Sequence, residues 1–142
     1  MKHLLIFLLI FLSLHTLFAQ ADAWQKLTKV TFRSEFDKKV GYPVQYPIFT
    51  PDIKALNGKI ITIKGYIVPM NESKGYFALS MNPYQTCYFC GGAGIETVLE
   101  VYGKKAFKFT NQMVTIKGKM KLNDFDIMNH LIYIIEDAEI VK

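Results

Sequence analysis

The feature that most constrains the fold is a series of five strand-like segments in the second half of the chain, each bounded by residues typical of turns. Met113–Leu122 has the clearest pattern, because apolar side chains alternate there with threonine and lysine, the period of a strand with one buried face. Short segments rich in β-branched and aromatic residues predict an all-β chain. The predicted strands are Ile60–Val68, Tyr76–Met81, Glu96–Tyr102, Met113–Leu122 and Leu131–Val141.

Five short strands in one small domain predict a closed or partly closed barrel. A long first strand that bends can join both sheets of such a barrel, and Gly65 gives it that freedom. We expect Pro69 to end this strand, and Asp137-Ala138 to interrupt the last one. The predicted fold is a five-stranded OB-like barrel. The connection GKKAFKFTNQ is too short for the helix that OB-folds often carry between strands three and four. A plain five-stranded meander is therefore the alternative fold.

The residues before the barrel have a less regular pattern. Trp24 and Leu27 fit one or two helical turns, whereas Pro43 and Pro47 favour an extended segment because proline disfavours helix in the residue before it. Residues 51–56 predict a further helical turn that enters the first barrel strand. We therefore interpret residues 20–55 as an aromatic- and proline-containing arm that packs on a barrel formed by residues 56–142.

The first twenty residues have the order of a secretory signal peptide. Lys2 supplies a basic start, the apolar run Leu4–Leu12 follows, and Ala19 offers a small residue at the cleavage point. The run is shorter than the about 20 residues of a membrane-spanning helix. We expect cleavage after residues 1–19, an exported protein of the periplasm or the exterior, and no stable membrane span after cleavage. A retained N-terminal anchor is the alternative.

The charge that remains after cleavage is mildly positive. Removal of Lys2 leaves 16 of the 17 basic residues against 12 acidic ones, a net charge of +4. Such a charge permits contact with anionic surfaces without requiring a nucleic acid. Three lysines share one strand face, at positions Lys117, Lys119 and Lys121. We interpret this face as a solvated surface that prevents edge pairing, and we do not expect nucleic acid as a partner.

The two cysteines, Cys87 and Cys90, form a Cys-x-x-Cys motif. A thioredoxin-like couple needs a helix start and a β-α-β unit, but Gly91-Gly92 and then a strand follow. Haem attachment needs histidine at the position of Gly91. In an oxidising compartment the remaining interpretations are a metal site, a local disulfide or redox-labile pair, and inert thiols.

As metal ligands, Cys87 and Cys90 resemble a zinc knuckle, in which a glycine turn lets both thiolates reach one ion. A closed zinc site needs four ligands, and the candidates to complete it are His130, Met81, Met128 or a carboxylate. Two thiolates alone suit a soft ion such as Cu(I). We therefore predict metal ligands at Cys87, Cys90 and His130, with zinc or copper as the metal.

The sequence contains no Ser-His-Asp order, paired-acid motif or phosphate loop. We therefore expect an exported binding module rather than an enzyme, with an envelope protein as a candidate partner. One alternative is a thiol–disulfide redox protein in which Cys87 attacks and Cys90 resolves. Another is an envelope scaffold or oligomer-binding module in which the two cysteines form a structural disulfide.

Five segments of the chain carry a resemblance to a known group: Trp24-x-x-Leu27, Pro47-x-Phe49, Leu56-x-Gly58-Lys59-x-x-x-Ile63-x-Gly65-Tyr66-x-x-Pro69, Phe77-x-Leu79-Ser80 and Cys87-x-Phe89-Cys90-Gly91-Gly92. With these segments the chain resembles a group of small exported bacterial proteins known only as a domain of unknown function. The resemblance implies export and an OB-like barrel, and it brings no agreed activity. One branch of that group has Cys-x-His followed by prolines, whereas here Phe89 takes the place of the histidine and Cys90 follows it. Both versions put a thiol beside a second soft ligand.

Overall fold

The structure is a computed structural model that describes residues 23–71 and 75–141. The signal peptide predicted for residues 1–19 lies outside these described residues. In the described part no helix is long and apolar enough to cross a membrane. The helices and strands, in chain order, are α1 (Ala23–Leu27), β1 (Thr31–Asp37), β2 (Tyr42–Ile48), α2 (Pro51–Lys54), β3 (Ile60–Asn71), β4 (Tyr76–Ser80), β5 (Val98–Gly103), β6 (Met113–Leu122) and β7 (Tyr133–Val141).

Strands β3 to β7 form a closed, mixed barrel in the order β3-β4-β5-β7-β6. All neighbouring pairs are antiparallel except β5 and β7, which run parallel. The barrel closes because β3 is long enough to pair with β6 through its first half and with β4 through its second. The prediction of an all-β, five-stranded OB-like barrel is confirmed, and the plain five-stranded meander is excluded because β5 pairs with β7 in parallel.

Gly65 lies where β3 passes from one partner strand to the other. Its neighbour Tyr66 pairs with both Ser80 of β4 and Met113 of β6. A Cβ atom on Gly65 would lie 2.6 Å from the backbone oxygen of Ser80 and 2.8 Å from Cγ of Leu79. Glycine is therefore required here because β4 approaches the backbone of β3 closely.

The prediction that Pro69 ends the first barrel strand is wrong. The strand continues to Asn71, and Pro69 pairs with Phe77 of β4. The register between β3 and β4 shifts between Pro69 and Asn71. A proline is tolerated at such an irregularity because the ladder does not need its missing N–H there.

The interruption predicted in the last strand is present. Asp137 has a positive φ of 53°, and the register between β6 and β7 shifts between Lys117 and Lys119. The residue opposite this irregularity is Gly118, whose Cβ would meet Cγ2 of Ile135 and the backbone oxygen of Glu136. The shift and the missing side chain together let β7 curve tightly around the barrel.

The segment before the barrel contacts the core through its two short helices. Leu27 of α1 and Ile53 of α2 are fully buried in the main hydrophobic cluster, and Phe49 packs with them. The buried Tyr133 hydroxyl donates a hydrogen bond of 2.7 Å to the carbonyl oxygen of Leu27. Thr50 caps α2 by accepting from the N–H of Ile53. The domain boundary after residue 55 stays a prediction.

Candidate functional site

The cysteine loop lies between β4 and β5 and contains two short 3-10 turns around the cysteines, Tyr84–Thr86 and Tyr88–Cys90. The carbonyl oxygen of Cys87 accepts hydrogen bonds from the N–H groups of Cys90 and Gly92, both at 3.2 Å. These bonds fold the motif back on itself, so that both cysteine side chains belong to one compact turn.

Both glycines after Cys90 are required by this turn. Gly91 has a φ of 76°, in the left-handed region of backbone conformation that residues with a Cβ rarely adopt. Gly92 lies so close to the backbone of Thr86 that a Cβ would come within 2.8 Å of it. The prediction that these glycines form a turn instead of starting an α-helix is therefore confirmed.

The two sulfur atoms lie close together but at different depths. Cys87 is fully buried beside Val68 and Val98, whereas Cys90 is exposed. Their Sγ atoms are 3.8 Å apart, and the Cys90 thiol also lies 3.1 Å from the carbonyl oxygen of Tyr84. Both are free thiols, since a disulfide has its sulfurs about 2.05 Å apart.

The ionisation of Cys90 is affected by its neighbour. The hydrogen bond with Cys87, with desolvation and the neighbouring sulfur's charge, raises the pKa of the Cys90 thiol above its ordinary value. A raised pKa leaves less of the nucleophilic thiolate at neutral pH. In the redox alternative Cys87 attacks, yet the accessible sulfur in this structure is that of Cys90.

His130 lies in the loop between β6 and β7, near one end of the barrel. Its Nδ1 atom is 3.0 Å from Oε2 of Glu100, a carboxylate that is 97% buried in β5. The same carboxylate accepts from the backbone N–H of Leu131 at 2.7 Å and from the Tyr102 hydroxyl at 2.8 Å. Glu100 therefore fixes the orientation of the imidazole and of the loop that carries it.

Tyr102 forms the outer part of this polar cluster. Its ring stacks on Tyr76 with centroids 4.9 Å apart. Burial raises the pKa of the Tyr102 hydroxyl, and its hydrogen bond to Glu100 raises it further. Tyr102 therefore remains a neutral hydrogen-bond donor to the carboxylate throughout the physiological pH range.

The predicted ligands are brought together only in part. Within residues 23–71 and 75–141, no three His, Cys, Asp or Glu side chains are close enough to share one metal ion. His130 and Met128 line a cavity of about 230 Å³ whose wall also includes Tyr88 and Phe89, the two residues between the cysteines. The cysteine loop and the His130 loop thus face one cavity, and Met81 does not line it. His130 as a third ligand stays a prediction.

Two residues of this region were missed from the sequence. Glu100 occurs in a strand whose alternation suggests only a polar face, and nothing local signals that the carboxylate is buried. Asn123 is also buried, and its amide nitrogen donates to the carbonyl oxygens of His130 and Leu131 at 3.3 and 3.2 Å. The available signal for Asn123 was its position just after the apolar end of β6, where asparagine often closes a turn.

Replacing Glu100 by alanine is expected to lower the free energy of unfolding by about 2–4 kcal/mol. The substitution leaves the Leu131 N–H without its acceptor and removes the partner of Tyr102. Glu100→Gln is the matched control and should cost less, because its carbonyl oxygen can still accept from Leu131. Urea unfolding of the three proteins measures the difference. Equal stability of Glu100→Ala and the unchanged protein would contradict a structural role of this carboxylate.

The lysine face of β6 is matched by acidic residues on β7. Lys117 pairs in register with Glu139, and Lys119 with Glu136. The amine of Lys121 lies 3.3 Å from Oε1 of Glu136. These neighbours reduce the local positive charge that binding of a polyanion would use. Nucleic acid therefore gains no support as a partner from this face.

Comparison with known proteins gives one distant structural match. No protein-family model and no curated protein sequence matches the chain. A search of solved structures finds the crystal structure of a DUF3299 family protein from Pseudomonas aeruginosa, with 20% sequence identity and a TM-score of 0.49. The match covers 63% of this chain and 66% of the other, slightly less than two thirds of its length. The chain is thus distantly similar in structure to a DUF3299 family protein.

Proposed function

We propose that the protein is an exported, non-enzymatic binding module that holds one zinc or copper ion between Cys87 and Cys90. The observation that carries the proposal is the 3.8 Å separation of the two sulfur atoms. A zinc ion bonded to both sulfurs at about 2.3 Å would subtend an S–Zn–S angle of about 110° at this separation, close to the tetrahedral value.

The turn itself supports metal binding. The hydrogen bonds to the Cys87 carbonyl oxygen and the glycines at 91 and 92 hold the two thiols in one turn before any ion arrives. Little chain entropy is then lost on binding. A preformed pair of this kind matches the knuckle geometry of structural zinc sites, which place two thiolates on one tight turn.

The separation of the two sulfur atoms favours a bent sulfur–metal–sulfur arrangement over a linear one. A linear two-coordinate ion with bonds of about 2.3 Å would need its sulfurs about 4.6 Å apart, further than the 3.8 Å observed. Cys87 is held in a packed apolar cluster, so the exposed Cys90 side chain would have to make that movement. The geometry therefore favours Zn²⁺ over linear Cu(I).

Two thiolates leave part of a tetrahedral ion's coordination open. Among the described residues no third His, Cys, Asp or Glu is within reach of such a group. The open positions suit water or a ligand from an envelope protein partner, and Cys90 at the surface gives access to them. Such an open two-thiolate site would bind an ion more weakly and exchange it more easily than a closed four-ligand site.

Titration of the fully reduced protein with Zn²⁺ tests this proposal. We expect one equivalent to bind, with the affinity falling as the pH is lowered because the thiols must lose their protons. Competition with a chromophoric chelator measures both stoichiometry and affinity. A parallel titration with Cu(I) compares the two metals, and absence of binding of both ions at micromolar concentration would contradict the proposal.

A reversible disulfide is the second candidate, and the paired sulfurs at unequal depth support it. The turn between Cys87 and Cys90 has an i to i+3 hydrogen bond, which keeps their Cα atoms within the range that a disulfide can span. The two candidates exclude each other in one molecule at one time. A disulfide that forms in air, and that blocks Zn²⁺ uptake until it is reduced, is compatible with both the metal site and the redox function. Exchange of this disulfide with a dithiol substrate would favour the redox function.

A further inference from the structure

Among the residues that the structure describes, the outer edge of β1 has no partner strand. Within residues 23–71 and 75–141, β1 pairs only with β2, and the two form a separate two-stranded sheet. Most side chains of β1 are exposed, including Phe36 at 65%. A two-stranded sheet is marginally stable alone, and an unpaired edge is a template for another strand.

The prolines of β2 determine which backbone groups of β1 face outward. Pro43 pairs with Phe36 and Pro47 with Phe32. Because proline has no N–H, these positions belong to the pairs of the ladder that do not exchange hydrogen bonds. In a strand such pairs alternate, so the N–H and C=O groups of Phe32, Ser34 and Phe36 point away from β2.

The sequence of this edge is complementary to itself when reversed. Residues 32–36 read Phe-Arg-Ser-Glu-Phe, with Ser34 at the centre. In an antiparallel pairing of two copies centred on Ser34, each Phe32 lies opposite a Phe36, and each Arg33 opposite a Glu35. The serine at the centre carries outward-facing backbone groups, so this register also aligns the free donors with the free acceptors.

We propose that β1 pairs with β1 of a second copy of this chain, in the antiparallel register centred on Ser34. The result is a four-stranded sheet with a two-fold axis, in which the same patch serves both protomers. This inference concerns assembly and does not depend on the metal site.

Charge and apolar contacts both favour this partner. Arg33 and Glu35 already form an ion pair within one strand, with both side chains about half exposed. In the paired sheet Arg33 of each copy also lies opposite Glu35 of the other copy. The two-fold symmetry therefore gives two cross-strand pairs of opposite charge. Phe36 gains the ring of the second copy's Phe32, which in each protomer packs against the main core.

The prolines also explain why such an assembly ends at two copies. After β1 pairs with β1, the outer edges of the four-stranded sheet are the two β2 strands. Pro43 and Pro47 lie on these edges and remove two of the N–H donors that a further strand would need. The sheet therefore closes as a dimer instead of growing into a fibre.

Sedimentation of the reduced, exported form of the protein tests the proposal, with reductant present so that Cys90 cannot form an intermolecular disulfide. We expect a concentration-dependent dimer. In the Glu35→Arg variant an arginine faces Arg33 of the second copy, and the dimer should weaken about tenfold or more. The double variant Arg33→Glu/Glu35→Arg restores opposite charges across the interface and should restore the dimer.

Two further variants separate the interface from general effects. Lys108→Glu changes an exposed charge in the connection between β5 and β6 and should leave the dimer unchanged. Ser34→Pro removes an outward N–H while sparing the ladder with β2, and should abolish the dimer. Hydrogen exchange at the Ser34 amide should slow as concentration rises. A protein that stays monomeric at about 100 μM, or a dimer that Glu35→Arg does not weaken, would overturn the proposal.

Discussion

Cys90→Ser is expected to bind Zn²⁺ more than about 100-fold more weakly than the unchanged protein. Loss of an outer-shell partner alone costs about 10–100-fold in affinity, and here one of two thiolates is lost. Cys90 is the better position for this test because it is exposed, whereas a serine at the fully buried Cys87 would also disturb packing. Chelator competition on the reduced protein measures the change.

His130→Ala is the matched control for this experiment. The proposed ion is held by the two thiolates alone, so the variant should still take up one equivalent. If His130→Ala loses as much affinity as Cys90→Ser, the imidazole is a ligand and the two loops must close around the shared cavity. Unchanged affinity in Cys90→Ser would contradict the proposed site altogether.

Gly65→Ala is expected to lower the free energy of unfolding by about 3 kcal/mol. The new methyl group would meet the backbone oxygen of Ser80 and the side chain of Leu79 at distances that no relaxed Cβ contact has. Leu79 is fully buried, so neither neighbour can move without disturbing the closure of the barrel. Thermal or urea unfolding followed by circular dichroism measures the loss.

Gly58→Ala is the control for the effect of the extra methyl group alone. Gly58 has a positive φ of 75°, and nothing lies within 4 Å of a Cβ built on it. Gly58→Ala should therefore lower the free energy of unfolding only by the cost of a left-handed backbone for alanine, about 1–2 kcal/mol. If Gly65→Ala costs no more than Gly58→Ala, the close approach of the strands at Gly65 does not limit stability.

The barrel could be predicted largely from local patterns. The β6 strand was predicted with its observed bounds, because its alternation of apolar and lysine residues leaves one register with a buried face. The bend at Gly65 and the irregularity at Asp137 could be predicted because glycine and strand-interrupting residues seldom occur inside a regular strand. The prediction that Pro69 ends β3 was wrong. The effect of a proline in a strand depends on whether the neighbouring strand needs an N–H at that position, and the local sequence does not contain this information.

The candidate site could be predicted only in its local part. Cys87 and Cys90 are three residues apart, so the turn that joins them follows from the glycines beside it. Their unequal depth could not be predicted, because it depends on Val68 and Val98 from other strands. Glu100 and His130 are 30 residues apart, and their contact arises only when the loop after β6 folds over β5.

Native mass spectrometry of the protein taken from its own compartment, without added metal or reductant, tests the central claim most directly. We expect a reduced chain that carries one metal ion. Added reductant should leave its mass unchanged, and acid should remove the ion. A chain without metal, lacking two hydrogen atoms and regaining them with reductant, would show a disulfide between Cys87 and Cys90 and contradict the metal site.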